Sequence, residues 1–177
     1  TILIITVITL SVWKTYPRVS DTLWHGIFHV ISIGTTTGFT TTGFHWWPSF
    51  LPLLLIAGAA VGGCAGSTAG GIKIIRFILI CKQGRREINQ LIHPSAFITV
   101  KLGNKPVSDA VINSVWGFFA LYSLSYVGLS IALTSTGVDL VTSFSAVTAC
   151  LNNLGPGLGA VADNYSGLNS TAKWILS

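Results

Sequence analysis

The chain has 177 residues, half of them hydrophobic and only 8% charged, with a formal net charge of +5. Soluble domains carry about 25% charged residues, yet here no Asp, Glu, Lys or Arg occurs between Thr22 and Ile72 or between Ala110 and Val138. Each gap is longer than the roughly 20 apolar residues that cross a bilayer, which weighs against a soluble enzyme or a soluble binding module.

Thr1–Trp13 reads as the end of a transmembrane helix, broken at Tyr16-Pro17. Asp21 is the expected N-cap of a short helix, Thr22–Gly34. That helix is too short to cross a membrane, and the uncharged run Thr35–Phe44 that follows it is built almost wholly of Thr, Gly and Phe. Irregular backbone at membrane depth is tolerated only where protein buries it or where it lines a wet cavity. A short helix, a Thr/Gly loop and a return into a hydrophobic helix describe a re-entrant pore loop.

The next hydrophobic segment runs from Pro48 to Ile80, far longer than one bilayer crossing needs. Five glycines stand between Gly62 and Gly71, in pairs at both ends, and predict two half-helices with an unwound loop between them. The alternative is an unbroken helix packed through small residues.

Seven of the ten basic residues lie between Lys73 and Lys105, opposed only by Glu87. The positive-inside rule places this stretch, with Lys82, Arg85 and Arg86, in the cytoplasm. A patch for anionic lipid or nucleic acid would account for Lys82–Arg86 but not for the rest of the chain, so lipid contact is expected and a nucleic-acid partner is not. Ala96–Leu102, Gly103-Asn104 and Lys105–Val107 read as a small β-hairpin. Asp109 is the expected cap of a spanning helix, Ala110–Leu133.

The pattern then repeats. Asp139 is placed to cap a short helix, Leu140–Leu151, and Asn152–Gly157 forms a second irregular loop. Gly38 and Gly155 stand 117 residues apart. The fold class is therefore an all-α polytopic membrane protein of repeated helix–pore-loop–helix units. Its organisation is a pore repeat over 1–81, a cytoplasmic basic connector over 82–108, and a second repeat over 109–177. Both ends read as cut from a longer chain, since Thr1 starts inside an apolar run and Trp174–Leu176 begin another.

The loops carry the chemistry. A dehydrated monovalent cation needs oxygen ligands, which successive backbone carbonyls can supply. Glycine lets such a loop adopt positive φ without strain, and the negative C-terminal ends of the two short helices favour a cation. Neither loop holds a carboxylate, which disfavours a divalent site.

Other constellations are weaker. Gly62–Lys73 lacks the Gly-Lys-Ser/Thr ending of a phosphate-binding loop. Ser67 as an intramembrane protease nucleophile would need His25, His29 or His93 as its base. His25 and His29 have metal-ligand spacing but no third ligand nearby, so hydrogen-bonding roles are expected for them. Lys73 reads either as a side chain snorkelling to the cytoplasmic interface or as a cation bearing on a gate. Cys64, Cys81 and Cys150 form no framework and read as small apolar residues.

Thr36-Thr37-Gly38-Phe39 resembles the start of the TVGYG filter of potassium channels, and Asn153-Leu154-Gly155-Pro156-Gly157 resembles a degenerate copy. With Gly62–Lys73, these segments resemble the Trk/Ktr/HKT superfamily of potassium transporters, above all its bacterial Trk-type translocating subunit, over essentially the whole chain. That family has four pore repeats in one polypeptide, and the chain resembles the last two, so alone it is not expected to conduct. The resemblance implies filter glycines at Gly38 and Gly155 and potassium-coordinating carbonyls at Thr36, Thr37, Asn153 and Leu154, with Phe39 and Pro156 completing the two segments. It implies an intramembrane gate built from Gly62, Gly63, Gly66, Ser67, Thr68, Gly70 and Gly71, followed by Lys73. It further implies no enzymatic activity, no bound cofactor beyond transported K+, a homodimer with a cytoplasmic nucleotide-binding regulatory subunit, and the bacterial inner membrane. Thr40 stands where TVGYG has its second glycine, which leaves that outer site poorly shaped. The competing reading is a non-conducting assembly subunit of a membrane complex.

Overall fold

The computed structural model describes residues 16, 18–48, 50–94 and 98–177. The expected helix over Thr1–Trp13, the break at Pro17 and the first residues of the expected hairpin lie outside these. Among the described residues are six α-helices: α1 (Val19–Gly34), α2 (Leu51–Val61), α3 (Ile74–Ile92), α4 (Asp109–Thr134), α5 (Leu140–Leu151) and α6 (Ser170–Leu176).

Helix α1 starts three residues earlier than expected. Its N-cap is Arg18 in extended conformation, with no side-chain cap, and Asp21 lies in the first turn. There the carboxylate meets the positive end of the helix dipole rather than the orphan N–H groups. The same shift recurs in α4, where Ser108 is the N-cap and Asp109 is the first helical residue. Asp109 instead pairs with Arg86 of α3 at 2.9 Å. Asp139 does cap α5, accepting from the Thr142 N–H at 3.0 Å.

The long hydrophobic segment is broken as its glycines require. Pro52 sits in the first turn of α2, where a missing N–H costs nothing. Helix α2 stops at Val61, and the chain is helical again only from Ile74. Helix α3 then runs through Lys82, Arg85 and Arg86 to Ile92. The hairpin is shorter than expected: β1 (Lys101–Leu102) pairs antiparallel with β2 (Lys105–Pro106) around a turn at Gly103-Asn104. Pro106 has no N–H to extend the ladder, and a bond from Val107 N–H to Val100 O (2.9 Å) closes it.

Packing joins the two repeats. Val30 and Ile33 of α1 and Leu51, Leu55, Ile56 and Ala59 of α2 share one buried cluster with Ala149 of α5 and Leu154 and Leu158 beyond it. A second cluster joins Leu133 of α4, Ala146 and Val147 of α5, Val161, Leu168 and Ala172. A third sets Leu79 of α3 against Val100, Ile112 and Val115. Helix α4, about 39 Å long at 1.5 Å per residue, is the one described helix long and apolar enough to cross a bilayer by itself. Its outward side presents Leu121, Leu124, Val127 and Ile131, each at least half exposed. Such a face suits lipid or neighbouring helices and not water.

Candidate functional site: two filter loops and the loop beneath them

Each short helix ends in a loop of the same backbone design. After α1, Thr36 and Gly38 take positive φ (55° and 81°); after α5, Asn153 and Gly155 do the same (52° and 95°). The hydrogen bonds correspond as well. Thr36 N–H donates to Ile33 O and Thr37 N–H to Ser32 O (3.1 and 2.8 Å), while Asn153 N–H donates to Cys150 O and Leu154 N–H to Ala149 O (3.1 and 2.8 Å). A positive φ at a β-branched residue such as Thr36 is a true outlier. Such strain costs about 1–3 kcal/mol and collects at functional sites.

The two loops touch. A Cβ added to Gly38 would collide with the Leu154 carbonyl oxygen and lie 3.3 Å from Pro156 Cδ. A Cβ added to Gly155 would meet open space within the described chain. Gly38 is thus brought against Leu154 and Pro156, which sets the two expected filter segments side by side. Both helix C-termini open into this region, and no acidic residue lies in either loop. The region can hold a cation through carbonyl oxygens and helix dipoles alone.

The outer part of each loop is pinned by side chains. In the first repeat, Ser32 Oγ donates to Phe39 O (2.7 Å), so that carbonyl is tied back to α1. His29 Nδ1 lies 2.7 Å from His25 O and Nε2 3.1 Å from Thr42 O, and His25 Nδ1 lies 2.8 Å from Thr41 Oγ1. The two histidines therefore serve the loop by hydrogen bonding, as their surroundings led us to expect. In the second repeat, Leu158 N–H donates to Ser145 Oγ (2.9 Å), Ala160 N–H to Thr142 Oγ1 (3.1 Å), and Tyr165 Oη–H to Gly155 O (2.7 Å).

Beneath the filter lies the segment Gly62–Lys73. Ile72 N–H returns to Ala60 O (3.0 Å) and Ile74 N–H to Gly63 O (3.2 Å), which closes the loop at its neck. Gly71 sits in that neck, where a Cβ would lie 2.9 Å from both the Ala59 and Ala60 carbonyls. Its neighbour Gly70 reaches the filter directly: its N–H donates to Thr36 Oγ1 (2.8 Å), and a Cβ there would strike Asn152 O. The loop thus rests on Thr36, the first residue of one expected filter segment, and on Asn152, the residue just before the other. Ser67 Oγ donates to Cys64 O (2.8 Å), His25 and His29 hydrogen-bond to the outer loop, and among the described residues no histidine, His93 included, hydrogen-bonds to Ser67. Lys73 takes φ 75° and turns its ammonium back onto the carbonyls of Ser67 (2.8 Å) and Ala69. It does not snorkel away from the loop; it ties the loop's far side to its neck. A cavity of about 620 Å³ opens between α1, α2 and this loop, lined in part by Thr35, Thr37, Gly63, Ser67 and Thr68.

Several residues that frame the site carry no motif. Asn152 is fully buried, donates to Thr148 O (2.7 Å) and accepts from Tyr122 Oη–H of α4 (3.0 Å). Arg76 of α3 lies 4.3 Å above the Phe118 ring of α4, a cation–π contact that steadies the half-helix below the loop. In the sequence Asn152 is simply the start of a loop. Tyr122, Tyr165 and Arg76 make contacts across 10 to 42 residues that no local pattern announces.

Comparison with known proteins gives the same frame. The family model for the cation transport protein TrkH matches residues 1–177. The Trk system potassium uptake protein TrkH of Salmonella typhimurium is 47% identical over 98% of this chain and 36% of its own length. The TrkH of Halomonas elongata is 50% identical over 99% and 36%, and the TrkG of Escherichia coli 43% identical over 86% and 31%. The crystal structure of the potassium transporter TrkH from Vibrio parahaemolyticus superposes with a TM-score of 0.91 at 47% identity, covering 99% of this chain and 38% of that one. The chain spans about a third of the length of these relatives. With its paired loops and whole-length match, the chain belongs to the TrkH family of cation transport proteins.

Proposed function

We propose that this chain supplies two pore-lining repeats of a potassium uptake protein of the bacterial inner membrane, with Lys82–Arg86 on the cytoplasmic side. The observation that carries the reading is the matched backbone of the two filter loops, with Gly38 set against the Leu154 carbonyl. Carbonyls of Thr36, Thr37, Gly38, Asn153 and Leu154 take the place of the ion's water. Dipolar oxygens without carboxylates favour a monovalent ion. Gly62–Gly71 acts as the gate, because it docks on Thr36 and Asn152, and Lys73 holds it in its docked shape. The relatives named for potassium uptake support the choice of ion. A homodimer working with a nucleotide-binding regulatory subunit remains part of this reading.

The test is rubidium uptake into liposomes carrying the full-length parent protein, with sodium as competitor. The expected result is uptake that ignores sodium and loses that preference when Gly38→Ser is introduced. A folded Gly38→Ser variant with unchanged flux and ion preference would overturn the filter assignment and leave an assembly role.

A further inference from the structure

The peptide that joins Gly155 to Pro156 is unusual among the filter peptides. Proline brings no N–H, so the Gly155 carbonyl is this peptide's sole polar group. Gly155 has φ 95° and no atom within 4 Å of the place a Cβ would take. Within the described chain, then, no close approach wedges this residue in place as Gly38 is wedged. The matching position in the first repeat is constrained twice: Gly38 is wedged against the Leu154 carbonyl and Pro156, and the next carbonyl, Phe39 O, is tied to Ser32 Oγ at 2.7 Å. In the second repeat the restraint comes from one phenol. Tyr165 Oη–H donates to Gly155 O at 2.7 Å, from a connection ten residues further along the chain. Its ring is half-buried against the apolar cluster of Leu133, Ala146, Val147 and Val161, which gives the hydroxyl a fixed origin.

We propose that Tyr165 is a specificity-determining positioning residue, holding the Gly155 carbonyl at the spacing that suits the larger of two alkali cations. The proposal rests on the filter reading above. A carbonyl oxygen has two lone pairs, so Gly155 O accepts from Tyr165 and still faces an ion. What the phenol opposes is inward rotation. A free carbonyl at a glycine could swing toward a smaller ion and reproduce the shorter oxygen distances that sodium needs. A tethered one cannot do so without breaking its hydrogen bond. The tether thus penalises sodium and leaves potassium untouched, a difference that acts on selectivity rather than on overall flux.

The experiment uses the full-length parent in liposomes, with rubidium uptake measured against rising sodium. Tyr165→Phe keeps the ring in its apolar seat and removes only the oxygen. The expected result is a potassium-over-sodium preference reduced about three- to tenfold, the range commanded by one neutral hydrogen bond, with maximal rubidium flux retained. Tyr165→Leu should lower the preference equally while also reducing protein yield. Tyr126→Phe removes a phenol of the same repeat that contacts Phe144 and Thr148 instead of the filter, and it should keep the parent's preference. A purely structural role for Tyr165 would lower uptake with the sodium profile unchanged, and that result in either variant would overturn the proposal. If the parent itself shows no potassium preference, the filter reading has failed; if the parent is selective and Tyr165→Phe matches it, only the role of Tyr165 has failed.

Discussion

The two pore repeats share a backbone and differ in almost everything that holds it. Thr36 and Asn153, and Gly38 and Gly155, occupy matching positive-φ positions on matching hydrogen-bond frames. Around that frame, the first repeat uses imidazoles and a serine, His25, His29 and Ser32, while the second uses hydroxyls, Thr142, Ser145 and Tyr165. The first also bears the loop beneath through Thr36 Oγ1, whereas the side chain of Asn153 is exposed and takes no part in that contact. The shared feature is thus the backbone, while the side chains that restrain each loop differ in chemistry and act on different backbone groups.

The largest effect should come from asking whether the contact between repeats continues around a ring. Gly38→Ala drives a methyl group into the Leu154 carbonyl. It also places a side chain at φ 81°, where L-residues lose about 1–2 kcal/mol. Rubidium uptake by the full-length protein should fall by at least tenfold. Gly155→Ala suffers only the φ penalty within this chain, because its surroundings are open. If the remaining length of the parent closes a ring by repeating the Gly38–Leu154 contact, a carbonyl from another repeat faces Gly155, and the two variants should be equally damaged. An active Gly155→Ala protein beside an inactive Gly38→Ala protein would break that ring.

A smaller effect should separate the repeats at their contact with the lower loop. Thr36→Val keeps the shape of the side chain and leaves the Gly70 N–H without its acceptor. An unpartnered donor costs about 1–3 kcal/mol, all of it charged to the docked loop. Flux measured without regulatory partners should rise several-fold in Thr36→Val and stay at the parent level in Thr36→Ser, which keeps the hydroxyl. Equal flux in Thr36→Val and the parent would mean that the loop does not close the path.

Local features of the site were legible in the sequence, and long-range ones were not. The glycine pairs at Gly62-Gly63 and Gly70-Gly71 announced a broken helix because helix propensity is a property of neighbouring residues. The two irregular loops after the short helices were legible for a similar reason, since uncharged Thr/Gly backbone between apolar segments has few places to go. Capping was only partly legible. Asp21, Asp109 and Asp139 look alike in sequence, yet only Asp139 caps, because the chain turns into α1 at Arg18 and into α4 at Ser108, one to three residues before the aspartate. The reach of Lys73 back to Ser67 and Ala69 depends on the loop's fold, which the neighbouring residues do not specify. The bonds of Tyr165 to Gly155 and Tyr122 to Asn152 join segments whose approach is set by helix packing, and no periodicity encodes them.

The smallest of the expected differences concerns how the two short helices begin, and it has a pH signature. The side-chain and backbone groups of Thr142 hydrogen-bond to Asp139 and hold its carboxyl below the usual carboxylate range. A carboxyl whose folded pKa is depressed stabilises the fold at pH above its ordinary value near about 3.9. That stability is lost as the pH falls through the folded value. Asp21 makes no such cap and offers only a charge near a helix dipole. Asp139→Ala should therefore cost about 0.5–2 kcal/mol, and Asp21→Asn no more than about 0.3–1 kcal/mol. Thermal melts of the full-length protein in detergent, taken from pH 7 down to pH 3, check both figures. The gap between parent and Asp139→Ala should narrow towards the acid end, as protons begin to compete for the parent's own carboxyl. A gap that persists undiminished at pH 3 would mean that the residue acts through packing instead of through its charge.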